Sequence, residues 1–400
     1  MDINLVDQDL YAREGAPHDQ FAWLRANDPV HRHHGGDLGW PDFWAVTRHA
    51  DVVQVSRRPD LFSSSRKLAL FEEMPEEQRE FQRMMMLNQD PPEHTRRRSL
   101  VNRGFTPRVI GALEQHIRDI CHDLVDEARG RSSVDFVRDI AAPLPLYVIC
   151  ELLGAPVEDR DKLFTWSNQM IGAEDPDYAA DPTEGRDAAA EVYAYANRLA
   201  AERREEPRDD IITRLLRPDD NGEVLDENEF DLFVLLLVVA GNETTRNAAS
   251  GGMLGLFEHP EQWRRLVADR ALAGTAADEI VRWVSPVNLF RRTATADTVI
   301  GEQEVREGDK VVVFYTSANR DEDVFADPGV FDIGRTPNPH IGFGGGGAHF
   351  CLGNHLAKLE LRVLFEVLAE RLPNLAQAGP ARRLRSNFIN GIKELPVTVS

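Results

Sequence analysis

The stretch Phe343-Gly-Gly-Gly-Gly-Ala-His-Phe-Cys351-Leu-Gly353 decides the fold class of this 400-residue chain. Its four glycines remove Cβ collisions, so the backbone can approach a large flat group and point amide N–H groups at an anion. Cys351 lies just before a helical pattern that begins at Asn354, and a cysteine at a helix N-terminus has a lowered pKa. The stretch therefore predicts a thiolate that is held by closely packed backbone.

Three interpretations of this stretch are open from its residues alone. A lone cysteine is most often a small buried hydrophobe. A glycine-rich turn before a helix is often a phosphate site, although this one lacks the Lys-Ser/Thr that follows the glycines of a P-loop. A thiolate under packed backbone is also what haem iron requires as a proximal ligand.

A long helical pattern carries a polar interruption in its middle. Residues Leu232–Ala240 are almost entirely apolar, and Gly-Asn-Glu243-Thr244-Thr-Arg-Asn follows directly. Burying Glu243 costs several kcal/mol unless it is paired or hydrated. The Thr244 hydroxyl is placed to bond the Ala240 carbonyl and to open a bulge that holds water. The alternative is a helix that simply reaches the surface midway.

Together these two stretches resemble the cytochrome P450 family, over roughly residues 40–400. The cysteine stretch resembles the family's haem-binding loop, and Ala240-Gly-Asn-Glu-Thr-Thr resembles its oxygen-activating segment. The resemblance implies a mainly α fold with a small β-rich lobe, and one domain over residues 1–400. It places haem b (iron protoporphyrin IX) between the long central helix and the helix after Cys351. One departure is that Phe343 lies eight residues before Cys351 rather than seven, so the loop is longer by one glycine.

The resemblance also implies roles for the residues of both stretches. Cys351 becomes the iron ligand, whose electron density favours O–O cleavage, with Phe343 and Gly353 flanking it in the cofactor loop. Thr244 donates a hydrogen bond to dioxygen, and Glu243 supplies protons through water. Oxygen cleavage needs protons in an otherwise apolar pocket.

Glu279-Ile-Val-Arg282 places opposite charges one helical turn apart. Such a pair is usually an exposed pair of little energetic weight. Its position along the chain resembles the family's Glu-x-x-Arg pair, which implies a structural lock behind the haem. The family often adds a further arginine, and Val330 occupies that position here, so Arg335 or Arg320 is expected to replace it.

The two propionates of a haem need cationic or hydrogen-bonding partners. By the same resemblance, these partners are His94, Arg98, Arg292 and His349. A basic surface for an acidic electron carrier is predicted at Arg96, Arg97, Arg103 and Lys358.

The residues that the family layout places around a substrate are strongly apolar, which predicts a hydrophobic small molecule as substrate. They are Met84, Met85, Met86, Leu87, Leu236, Val239, Ala240, Val287, Asn288, Leu289, Phe388 and Ile389. The two motifs are similar to those of actinobacterial enzymes that hydroxylate sterol side chains or branched lipids. A steroid, terpenoid or lipid is therefore expected, and a polyketide or other secondary metabolite is the alternative.

Composition limits the partners. With 46 Lys+Arg against 67 Asp+Glu, the net charge of −21 disfavours nucleic acid and anionic membranes. Three cysteines, no signal-peptide pattern and no apolar run long enough for a bilayer predict a cytoplasmic protein without a membrane anchor; Cys121 and Cys150 are expected in the core.

The chain carries no flavin or nicotinamide domain, so electrons are expected from a ferredoxin or flavodoxin with its NAD(P)H reductase. Two other classes remain as alternatives. One is a peroxygenase that uses hydrogen peroxide, against which Glu243-Thr244 argues. The other is a haem-binding or ligand-binding protein without catalytic activity.

Overall fold

The computed structural model describes residues 3–35, 41–71, 73–131, 133–171 and 184–399. Helices dominate, as the resemblance predicted. The α-helices are α1 (Gln8–Glu14), α2 (His18–Asn27), α3 (His49–Ser56), α4 (Glu76–Gln82), α5 (Glu93–Asn102), α6 (Pro107–Gly111), α7 (Glu114–Arg129), α8 (Pro143–Leu153), α9 (Arg160–Ile171), α10 (Glu184–Glu205), α11 (Ile211–Leu216), α12 (Glu227–Glu258), α13 (Pro260–Ala268), α14 (Ala273–Val284), α15 (Tyr315–Ala318) and α16 (Asn354–Arg371).

The strands are short. They are β1 (Val30–His33), β2 (Phe43–Val46), β3 (Phe62–Ser63), β4 (Val134–Asp135), β5 (Leu289–Ala294), β6 (Thr298–Ile300), β7 (Gln303–Val305), β8 (Lys310–Phe314), β9 (Ala376–Gln377), β10 (Arg382–Arg383), β11 (Ile392–Glu394) and β12 (Pro396–Thr398). No helix among the described residues is long and apolar enough to cross a membrane.

The chain divides into two compact units. The first comprises Met1–Arg96, Asp278–Cys351 and Arg383–Gly391, and the second comprises Arg97–Ala277, Leu352–Arg382 and Ile392–Ser400. The predicted single domain over residues 1–400 stays a prediction.

The first unit is built on a five-stranded sheet with the strand order β1-β2-β8-β5-β3. Strands β2 and β8 pair in parallel, and the other neighbours are antiparallel. Because side chains alternate across a strand, Arg291 and Arg292 of β5 point to opposite faces. One face packs on a core that includes Phe21 and Phe314, and the other on a core that includes Val311 and Tyr315.

The second unit is organised around α12. A capping box fixes its start, because the Asp226 side chain accepts the Glu229 amide and the Glu229 side chain accepts the Asp226 amide. The helix packs against α8, α9, α10 and α16. Gly241 allows the close approach of α8, since a Cβ there would lie 2.9 Å from Cδ1 of Ile149.

The periodicity of the sequence predicts helices that include Pro107–Ala128, Pro156–Ile171 and Thr183–Glu205. The first is two helices, α6 and α7, which Ala112 and Leu113 separate, and the second is a short 3₁₀ turn, Val157–Asp159, followed by α9. Helix α12 continues as a regular α-helix through residues 240–247, so the bulge predicted at Thr244 is absent. Thr183, where one helix was expected to begin, lies outside the described residues.

Candidate active site

The cysteine loop closes on itself in the first unit. The Cys351 amide donates to the Phe343 carbonyl at 2.9 Å, and the Gly344 amide donates to the Ile341 carbonyl at 2.9 Å. Cys351 is half-buried and does not form a disulfide. The hydrogen bond between the two ends of the loop, Phe343 and Cys351, therefore closes the loop despite its eight-residue spacing.

The glycines of this loop have backbone and packing reasons within the protein. Gly344, Gly346 and Gly347 have φ values of 102°, 87° and 78°, which L side chains rarely adopt. A Cβ on Gly345 would lie 2.6 Å from Oγ of Ser56, and one on Gly347 would lie 2.5 Å from the Ser56 carbonyl oxygen. Glycine at 345 and 347 is therefore required by the close approach to the end of α3.

Three of the four predicted propionate partners lie in the first unit. The rings of His94 and His349 are 4.3 Å apart, and Nε2 of His349 lies 3.2 Å from Oγ of Ser64. Arg292 is 5 % exposed. The fourth, Arg98, is one turn beyond His94 in α5, belongs to the second unit, and donates from Nε to Asn102.

Arg292 tests whether this set fits a haem. Its side chain donates to the Arg291 carbonyl at 2.7 Å, and within the described ranges it forms no ion pair. Burial lowers the pKa of Arg292, and the charge of Asp90 counteracts this. A buried cation without a carboxylate partner fits a ligand that brings its own carboxylates, as a haem does.

The predicted lock, Glu279 with Arg282, is completely buried rather than exposed. The two side chains form a bidentate pair with N–O distances of 2.7 and 2.8 Å. Glu279 also accepts from Asn338 and from the Asp332 amide. Arg282 donates further to three backbone carbonyls, at Asn319, Pro328 and Val330.

Of the two arginines expected to replace the one missing at Val330, Arg335 contacts the lock. Its Nε lies 3.3 and 3.2 Å from the two Glu279 oxygens. Its other nitrogens donate to the carbonyls of Ala326, Asp327 and Val330. Arg320 stacks instead on the ring of Trp283, 3.9 Å from the centroid.

In the second unit, Glu243 of α12 is buried and paired. Its Oε1 accepts from Arg246 at 2.5 Å and from Asn247 at 2.8 Å. Its Oε2 is buried and has no hydrogen-bond partner within the described part of the chain. Glu243 is therefore a carboxylate with one oxygen engaged and one available.

Thr244 lies beside an accessible stripe on this otherwise buried helix. Leu236, Val239 and Ala240 are the residues of this apolar segment whose side chains remain partly or fully accessible, and their spacing of three and four places them on one face. The Thr244 hydroxyl donates to the Ala240 carbonyl at 2.7 Å, as predicted.

The other predicted pocket residues, all in the first unit, differ in accessibility. Residues 84–87 are half-buried. Val287 forms a β-bridge with Ile389, and the ring of Phe388 packs edge-on against Phe290.

Two pocket predictions need correction. Leu289 is fully buried in the core beside Phe314, and Asn288 is fully buried with its Oδ1 accepting from Thr316 at 2.6 Å. Leu289 lies in the core that includes Phe21 and Phe314, whereas Val287 packs against the core that includes Val311 and Tyr315, so Leu289 belongs to the core and not to a pocket wall.

Two residues of the predicted basic surface are engaged within the protein. Arg97 is mostly buried and pairs with Glu229 at 2.8 Å. Arg103 donates to the carbonyls of Leu100, Pro218 and Arg217. The docking surface itself stays a prediction.

Sequence reasoning missed three polar residues of the second unit. Arg246 and Asn247 hold Glu243, and the spacing Glu243-x-x-Arg246 was the available signal. Glu360 of α16 is 2 % exposed, and its burial raises its pKa to about 8, with a hydrogen bond from Thr245 acting against the rise.

Cys121 and Cys150 are buried as predicted.

Comparisons with known proteins point to one family. A sequence profile described as Cytochrome P450 matches residues 183–372. The chain is 46 % identical over 402 residues to a steroid C26-monooxygenase of Rhodococcus jostii. The aligned region covers 99 % of this chain and 84 % of the relative. It is 44 % identical over 419 residues to a methyl-branched lipid omega-hydroxylase of Mycobacterium tuberculosis, which covers 100 % of this chain and 95 % of the relative.

Among solved structures, the chain is similar to a Mycobacterium marinum cytochrome P450 in complex with pseudoionone. The two share 39 % sequence identity and a TM-score of 0.91, over 100 % of this chain and 98 % of the other.

Proposed function

The chain belongs to the cytochrome P450 family, and from that premise we propose that it hydroxylates a carbon in the side chain of a steroid or near the end of a methyl-branched lipid. It is a monooxygenase that acts with O2 on a hydrophobic substrate. The accessible apolar stripe of Leu236, Val239 and Ala240, which leads to Thr244, carries the proposal, because it presents a shape-selecting surface next to polar groups.

The family's cofactor is a haem iron, and we propose that it is haem b. Cys351 would hold the iron through its sulfur, and Arg292, His94 and His349 would hold the haem carboxylates. When bound, the haem supplies the redox chemistry by which one oxygen atom of O2 enters the substrate. Phe343 supports Cys351 through the 2.9 Å backbone bond that closes the loop, and Gly353 caps α16 just after it.

Glu243 and Thr244 would handle the protons. Glu243 Oε1 is fixed by Arg246 and Asn247, while Oε2 is the atom that can take and release a proton. The Thr244 hydroxyl donates to Ala240 in this structure, and rotation about χ1 would turn it toward the accessible face. The apolar neighbours of the pair limit water, so protons arrive at defined atoms.

Electrons would come from a ferredoxin or flavodoxin with its NAD(P)H reductase. An acidic carrier would meet the basic residues that the sequence predicts for docking, which are Arg96, Arg97, Arg103 and Lys358. A cytoplasmic location is also proposed, supported by three cysteines that form no disulfide.

The test combines binding and turnover. Purified protein is titrated with steroids, branched fatty acids and macrolides while the ferric spectrum is recorded. Binders are then incubated with ferredoxin, reductase and NAD(P)H. We expect hydroxylated steroid or branched-lipid products, a thiolate-type spectrum of the reduced carbon monoxide complex, and loss of that spectrum in C351A.

Other outcomes separate the alternatives. Product with hydrogen peroxide but not with NAD(P)H would favour a peroxygenase, and binding without product would favour a binding protein. A T244A variant that forms product at the wild-type yield per NAD(P)H would contradict the role given to Thr244.

A further inference from the structure

The carboxylate of Asp90 collects hydrogen bonds from a run of three serines in the first unit. Its Oδ2 accepts from Oγ of Ser63 at 2.5 Å and from Oγ of Ser65 at 2.8 Å. Its Oδ1 accepts from the Ser64 amide at 2.7 Å. Charge-assisted bonds of this kind are about twice as strong as neutral ones, so Asp90 fixes the path of the chain just after β3.

The middle serine connects this anchor to the predicted cofactor site. Ser64 is 1 % exposed, and its hydroxyl lies 3.2 Å from Nε2 of His349. The His349 ring in turn packs 4.3 Å from the ring of His94. The backbone carbonyl of Asp90 accepts the His94 amide at 3.0 Å, a contact that no side-chain substitution at Asp90 removes.

We propose that Asp90 is a positioning residue for the carboxylates of the cofactor, acting through Ser64 on His349. The inference rests on the proposed function, because it requires that the chain holds a haem at these residues. Asp90 does not itself serve as a donor to the haem, since a carboxylate only accepts. It restricts Ser64 to one position, and Ser64 restricts the imidazole of His349 to one orientation.

The charge of Asp90 gives a second, separate effect. It lies in the electrostatic environment of Arg292, whose cationic form it favours. A negative charge near a redox centre also disfavours the addition of an electron. Removing the charge of Asp90 should therefore change the reduction potential, whereas removing the Ser64 hydroxyl should not.

The experiment compares the holoenzyme with its D90A, D90N and S64A variants. Two quantities are measured: the rate of haem transfer to apomyoglobin, and the reduction potential. We expect haem transfer to accelerate about tenfold in D90A and about threefold in S64A, from the strengths of charged and neutral hydrogen bonds. The potential should become more positive in D90A and D90N but stay at the wild-type value in S64A.

A double-mutant cycle tests the route through His349. In an H349A background, D90A should change the haem transfer rate by less than about twofold, because the side chain it acts through is gone. The D60A variant is the control, since Asp60 is an exposed aspartate paired with Arg58, and it should behave as wild type. If D90A does not fold, S64A with H349A completes the same cycle.

Two results would overturn the inference. One is haem transfer at the wild-type rate in both D90A and S64A, and the other is an effect of D90A that persists in full in the H349A background. A wild-type protein that takes up no haem or forms no hydroxylated product would instead overturn the proposed function itself.

Discussion

Two buried Glu-x-x-Arg pairs share spacing and burial but differ in how fully their carboxylates are bonded. Both oxygens of Glu279 in the first unit accept from Arg282 and Arg335, with further bonds from Asn338 and a backbone amide. Glu243 in the second unit has partners on Oε1, whereas Oε2 has none within the described ranges.

The difference supports different roles for the two carboxylates. Moving Glu279 would break several charged hydrogen bonds at once, which suits a structural lock. Glu243 keeps one oxygen without a partner within the described ranges, and the proposed part in proton delivery requires such an oxygen. The same Glu-x-x-Arg spacing thus supports a lock in one unit and the proposed proton-delivery group in the other, and the surrounding donors decide which.

Glu360 extends the comparison to a buried carboxyl without a cation. Within the described part of the chain it forms no ion pair, and its Oε1 has no hydrogen-bond partner. Burial raises its pKa to about 8, so it holds its proton near neutral pH. The three glutamates form a series, from Glu279 with arginines at both oxygens to Glu360 with no ion pair in the described part of the chain.

The largest effect is expected from E279Q. It leaves the fully buried guanidinium of Arg282 without its counter-charge, which should lower the free energy of unfolding by about 4 kcal/mol or prevent folding. Urea unfolding followed by circular dichroism measures it. The matched control is E76Q, which removes the partly exposed i,i+3 pair of Glu76 with Arg79 and should cost under about 1 kcal/mol. Similar losses in both variants would show that burial does not distinguish the pairs.

E360Q should show a pH-dependent gain. Because the pKa of Glu360 in the folded protein is about 8, above the usual value near 4.5, ionisation destabilises the fold as pH rises between these values. E360Q should nearly match the wild type at pH 5 and exceed its free energy of unfolding by about 5 kcal/mol at pH 9. The measurement is urea unfolding at a series of pH values. A constant difference across pH would contradict the raised pKa.

E243Q should lower the free energy of unfolding by about 2 kcal/mol, which is less than the loss expected for E279Q. Glutamine still offers one oxygen to Arg246 and Asn247, and the variant removes the cost of burying the unbonded charged oxygen. Urea unfolding of E243Q and E279Q under the same conditions compares the two losses in free energy of unfolding. A loss as large as that of E279Q would mean that Glu243 is a second lock and would end the distinction drawn here.

The motifs could be predicted from the sequence, but their bonding partners could not. The Thr244–Ala240 hydrogen bond follows from local chemistry and was predicted, whereas Leu236, Val239 and Ala240 were named only by the family layout. Arg335 joins the lock from a distance of 56 residues, and local patterns carry no information on such contacts. Leu289 was misplaced because the family layout names a segment, whereas the fold decides which side chains of that segment enter the core.

The loop glycines show the same limit. Sequence reasoning assigned all four to the approach of a flat cofactor and did not foresee that Gly345 and Gly347 pack against Ser56. A glycine in the sequence indicates that the backbone approaches a neighbouring group closely, but only the fold identifies that group.

The most direct test of the central claim is the fraction of NAD(P)H electrons recovered as hydroxylated product in E243Q. If Glu243 moves protons through its free oxygen, this fraction should fall severalfold, with the remaining electrons recovered as hydrogen peroxide or water, while E76Q keeps the wild-type fraction. A folded, haem-loaded E243Q with the wild-type fraction would contradict the claim.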